Sequence, residues 1–247
     1  MNTKYELTDE TKNIYGVTLH RIRALRDIPS AGVKSGDLGG WIEKESNLSQ
    51  NGDAWVYGNA QVYSDARVCG DARVYGNARV YGNAKVFDDA RVCGDARVCG
   101  NAKVYDNAWV YNNARVYGNA LVCGDARVCG DARVCGDALV CGDARVCGDA
   151  LVCGNAEVCG DAEVYGDAEV FVNADYMIFK NSWSSGRWFT YTRSNKMWKV
   201  GCFYGTGEEL IKNAYADSEV SGKCYEAIVR AVETIEAAKA KAKGEMK

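Results

Sequence analysis

From Val56 to Val170 a valine stands at every sixth position, twenty in succession, with no insertion or deletion. An alanine follows each valine by four residues, Ala60 through Ala174, and Asp or Asn precedes each of those alanines. The unit reads A-[RKE]-V-[YC]-G-[DN], and so strict a short period is the mark of a solenoid. In an extended segment Ala and Val, two apart, point to one side while the Arg or Lys between them points to the other. Gly followed by Asp or Asn supplies a corner, because glycine tolerates positive φ and Asx residues favour turns. Repetition gives a polygonal coil whose core is valine and alanine. Each buried valine is worth about 1.5–3 kcal/mol, and neighbouring coils complete the burial that one coil cannot.

The 247 residues divide into three parts. Residues 1–52 are a non-repeating cap with a strand-like VTLHRIRAL (Val17–Leu25) and a glycine-rich corner at Ser35–Glu43; Ile42 and Leu48, six apart, place an imperfect first coil there. Residues 53–174 are the column. In residues 175–247, DYMIFK, RWFTYT and MWKVGCF read as short strands. Thr206 and Glu209 form a capping box that opens a helix. From about Gly222, Tyr225, Ile228, Val229, Val232 and Ile235 mark a second helix, which is expected to fray into a charged tail. The fold class is thus an all-β solenoid with a β cap and a small α+β terminal domain.

A net charge of −3 does not advertise a binder of bulk nucleic acid. No apolar stretch of spanning length and no charged-then-apolar leader occurs, so a cytosolic protein with no membrane partner is expected. Ten of the twelve cysteines, such as Cys129, Cys135, Cys141, Cys147, Cys153 and Cys159, fill the slot that Tyr or Phe fills in other hexads. Cysteines 18 apart stack closely enough for a bridge, yet slot-sharing with Tyr and a reducing compartment predict free thiols. No C-x-x-C pair occurs and evenly spaced thiols do not converge on a tetrahedron, so neither a metal nor another cofactor is expected.

The period-six pattern resembles the hexapeptide-repeat proteins, and that resemblance implies a left-handed β-helix with three hexads to a triangular coil. Twenty hexads then make nearly seven coils, a column of roughly 32 Å. The run GGWIEKESNLSQNGDAWV (Gly39–Val56) is similar to the opening of phage- and prophage-encoded hexapeptide proteins often labelled acyltransferases. Enzymes of that kind usually need a histidine base beside the coils, and the one histidine here, His20, lies in the cap. The γ-type carbonic anhydrases of this fold need three histidines on zinc. The acyltransferase label therefore reads as likeness of fold without the chemistry.

The residue between Ala and Val should face solvent, and an 18-residue register sorts these side chains onto three faces. One runs Trp55, Arg73, Arg91, Trp109, Arg127, Arg145, Glu163; a second runs Gln61, Arg79, Arg97, Arg115, Arg133, Leu151, Glu169; a third runs Arg67, Lys85, Lys103, Leu121, Leu139, Glu157. Two readings of the arginine ladders stay open. Corner aspartates could neutralise them, or Arg79, Arg97, Arg115 and Arg133 could form a stripe for phosphate or carboxylate groups. Leu121, Leu139 and Leu151 form an apolar anomaly that predicts a contact, best met by a homotrimer. In the terminal domain Arg187, Trp188, Tyr191 and Trp198 combine stacking surfaces with cations, equipment for a nucleotide or a protein partner. The leading functional expectation is a non-enzymatic phage protein acting in the cytoplasm of an infected or lysogenic host. It would counter host defence by sequestering a small anionic, nucleotide-type ligand or by occluding a defence protein. A structural scaffold and a divergent acyltransferase are the alternatives.

Overall fold

A computed structural model describes residues 3–183 and 185–245. Twenty two-residue strands, Trp55–Val56 through Glu169–Val170, stack in parallel at an 18-residue register, so that Arg97 pairs with Arg115 and Arg115 with Arg133. The strands form the three faces of a parallel solenoid of about seven turns. Every valine of the series and every alanine from Ala54 to Ala168 is fully buried. The spacing argument thus holds along the whole column. Corners turn on residues with positive φ, mostly glycine; Ser64, Asp88, Asp106 and Asn112 take the same conformation at 59°, 55°, 56° and 60°. The twentieth alanine, Ala174, is exposed in a short 3-10 turn, because the last coil closes at Val170.

The cap extends one face of the column. Strand β1 (Tyr5–Ile14) pairs antiparallel with β2 (Val17–Ala24), which pairs antiparallel with β3 (Leu38–Ile42). Strand β3 then runs parallel to Gln61–Val62 and starts the coil at Ile42, with Leu48 bridging to Val68. The stretch read as a glycine-rich corner is therefore largely strand. Tyr5 closes the open end of the core: it stands edge-on to Trp55 at 6.3 Å, and its hydroxyl donates to the Leu48 carbonyl at 2.7 Å. Beside it the buried Lys4 donates from Nζ to the Ala54 carbonyl at 2.9 Å, and burial pushes its pKa down to about 8. Consequently two residues expected to face solvent do not: Trp55 is 1% exposed and Gln61 7%, each covered where the cap joins the first coil.

The far end is closed by a different device. The parallel ladder leaves the last coil with N–H groups that no further coil can accept. Glu157 N–H donates to Asn173 Oδ1 at 2.7 Å, Glu163 N–H to Thr190 Oγ1 at 2.9 Å and Glu169 N–H to Ser194 Oγ at 2.7 Å. One side-chain oxygen therefore covers each of the three faces, which blunts an edge that would otherwise pair with another chain. Thr190 lies in the second strand, and Ser194 in the turn that follows it, of a four-stranded antiparallel sheet, 176–180, 188–192, 197–200 and 203–205, whose last strand the sequence pattern does not announce. Helices α1 (Gly207–Asp217) and α2 (Glu219–Glu245) cover its outer side, and the Thr206–Glu209 capping box is formed as expected. Helix α2 starts before Gly222 and passes through it, and it continues through the stretch read as a fraying tail.

The free-thiol expectation fails at four positions. Cys129 is bridged to Cys147 and Cys141 to Cys159, each pair with Cα atoms 4.7 Å apart. In-register stacking puts the two sulfurs within bonding reach, whereas the expectation rested on compartment and on slot-sharing with Tyr. Cys135 and Cys153, stacked in the same way, remain thiols. Among the described residues no helix is long and apolar enough to cross a membrane, and no group of His, Cys, Asp and Glu is arranged to hold a metal ion.

Candidate anion-binding site

Arg79, Arg97, Arg115 and Arg133 stand in register on consecutive strands of the ten-stranded sheet, between Gln61 below and Leu151 above. Arg97, Arg115 and Arg133 are exposed and line a cavity of about 280 Å³ together with Tyr81, Cys99 and Tyr117. No carboxylate lines it. Among the described residues none of the three guanidiniums has an ion pair. The corner that follows the stripe carries asparagine at Asn83, Asn101 and Asn119 and aspartate only at Asp137. Asn83 donates to Asn101 Oδ1 at 3.1 Å, Asn101 to Asn119 Oδ1 at 2.9 Å and Asn119 to Asp137 Oδ1 at 2.9 Å, a ladder along the column axis. Like charges thus stand one coil apart with no carboxylate in ion-pair contact, an arrangement that repels.

The tyrosines beside the stripe are held neutral. Burial, then contact with the Cys99 thiol, pushes Tyr81 up to about 12; contact with the Cys135 thiol, then burial, pushes Tyr117 up to about 12. Both hydroxyls therefore remain donors across the physiological range. Arg79 is half-buried and lies outside the cavity, near Lys12, whose ammonium sits 4.2 Å over the Trp41 ring.

The terminal-domain candidates separate. Arg187 and Trp188 line a 350 Å³ cavity on another face with Asp143, Arg145, Asp161, Glu163 and Gly201. Carboxylates outnumber guanidiniums there, and Arg145 is already paired to Glu163 at 3.5 Å. Tyr191 and Trp198 are 7% and 2% exposed, and no ligand reaches them. Their strands are covered on both sides: Thr190 faces the column end, while Phe189, Tyr191, Trp198 and Val200 pack with Leu210, Val229 and Val232 of the helices. Packing of one face against the two helices accounts for the buried aromatic residues. The stripe and the Arg187–Trp188 pair therefore do not form one site. His20 sits on β2 with Nδ1 3.2 Å from the Thr8 carbonyl oxygen.

Segments 66–82, 72–94, 96–112, 108–124, 114–130 and 126–142 match the family described as YdcK Beta solenoid repeat. All six lie within the column, cover less than half of the chain and support a repeat β-solenoid. No curated protein matches the chain.

Proposed function

We propose that this protein is a non-catalytic binding protein that captures a small anionic, nucleotide-type ligand on Arg97, Arg115 and Arg133. The observation that carries this reading is the set of three unpaired guanidiniums around one cavity without a carboxylate. Charge-assisted hydrogen bonds of about 1.5–3 kcal/mol each from two or three arginines are enough to offset association costs in a preorganised cleft. The likeness of Gly39–Val56 to phage and prophage solenoids supports assigning the capture to counter-defence, in the cytoplasm of an infected or lysogenic host. The scaffold alternative has less support, since both column ends are covered.

Calorimetry with inorganic pyrophosphate tests the site. Arg97→Glu, Arg115→Glu and Arg133→Glu should each weaken binding at least about tenfold, the equivalent of one such hydrogen bond, while Arg187→Glu leaves it unchanged. Full affinity in all three stripe variants, or no binding by the wild type, would remove this reading and favour occlusion of a defence protein.

A further inference from the structure

The side chain after each valine forms a ladder along the column; Tyr57 and Tyr75 meet edge-on at 6.3 Å, and two other successive pairs stack face to face. Tyr63 and Tyr81 lie 5.1 Å apart at an interplanar angle of 3°, and Phe87 and Tyr105 lie 5.0 Å apart at 1°. On the ladder that borders the arginine stripe the order is Tyr63, Tyr81, Cys99, Tyr117, Cys135. Cys99 replaces one ring, so Tyr81 and Tyr117 are separated by two rungs, about 9.6 Å. A planar ring placed midway would lie about 4.8 Å from each, close to the ring spacing that the column itself uses and within the range of favourable aromatic pairs. The vacancy is the 280 Å³ cavity, lined by both tyrosines, and Tyr117 is 36% exposed at its mouth.

We propose that the Cys99 rung is a slot for one nucleobase, sandwiched between Tyr81 and Tyr117, with the phosphates of the same nucleotide held by Arg97, Arg115 and Arg133. Arg97 and Cys99 flank the buried Val98, Cys99 directly after the two-residue strand, and both line the cavity, so cation and slot open together. The inference rests on the anion reading of that stripe and adds where the base of a nucleotide would sit. A second cysteine interrupts the ladder Tyr75, Cys93, Tyr111, but its surroundings differ. There Trp109 stands edge-on to Tyr111 at 6.2 Å, and its ring engages Arg91 at 4.8 Å and Arg127 at 5.8 Å. The cations beside Cys93 are already taken up by an indole.

The repeat supplies its own test, because Tyr is native to this slot in other coils. ADP and inorganic pyrophosphate, titrated calorimetrically into the full chain, share two phosphates and differ in the base. The wild type should bind ADP about tenfold tighter than pyrophosphate, the size of effect one stacked base provides. Cys99→Tyr should erase the ADP preference, so that the two probes bind the variant alike; Cys93→Tyr, outside the cavity, should change neither affinity. Tyr117→Leu, which removes one ring without filling the vacancy, should also erase the preference for ADP. Equal affinity for the two probes in the wild type, or an ADP preference that survives Cys99→Tyr, would overturn the slot and leave the anion site standing. Absence of binding by either probe would remove both.

Discussion

At the scale of single residues, the corner decides what the repeat accepts. Gly118 has φ of 73°, and a Cβ there would lie 2.9 Å from the Gly136 nitrogen of the next coil. Asn112 and Asp106 nevertheless hold the same turn with side chains, as Asn and Asp tolerate the left-handed region better than branched residues. Gly118→Asn should therefore cost about 1 kcal/mol, and Gly118→Val about 2 kcal/mol or more, read from urea midpoints of the two variants. Equal midpoints would mean that backbone conformation is not the limit at this corner. The outward arginines were legible in the same way, since an 18-residue register assigns each to a face. The slot beside them was not. It arises from a smaller residue in a ladder of larger ones, and a composition or motif reading registers side chains that are present.

At the scale of elements, the two ends of the column use different means. The cap adds antiparallel strands to one face, whereas at the far end the Asn173 amide oxygen and two terminal-domain hydroxyls meet the exposed N–H groups. Thr190→Val removes an acceptor while keeping the shape, so the Glu163 amide loses its partner at a cost of about 1 kcal/mol. Hydrogen exchange should show that amide exchanging faster in the variant while amides at mid-column keep their protection; unchanged exchange at Glu163 would assign the closure to packing alone. Valine spacing and the Thr206 capping box were readable before any coordinates. Strand β1, YELTDETKNI, was not, because an outer strand with one partner carries little apolar alternation. Gly222 misled for a physical reason: a Cβ there would lie 2.2 Å from the Tyr215 ring, so this glycine permits close approach of α1 and α2 instead of ending a helix.

At the scale of the molecule, the half-buried Leu121 and Leu139 pair directly within the six-stranded sheet, between Lys103 and Glu157, and Leu151 lies on the neighbouring face. Apolar side chains in a slot otherwise charged support the proposal that columns associate, most simply as trimers. Replacing all three leucines with Glu should lower the light-scattering mass from that of an oligomer to about that of one chain. A wild type already at 26.9 kDa would end the proposal. The disulfides join coils that are already neighbours, so their reduction leaves the register of the faces as it is.

The 18-residue register also sets the grammar by which such a gene can lengthen or shorten. Duplication or loss of three hexads inserts or removes one full turn, and every residue above it returns to its former face. Duplication of a single hexad instead turns everything above it onto the next face. An extra hexad between Gly100 and Asn101 would carry Arg115 and Arg133 off the row begun by Arg79 and Arg97 while valines and alanines still filled the interior. Such a lineage would keep a well-formed column and lose the arginine row in one step, so unequal crossing-over is a direct route by which this scaffold changes the surface it presents.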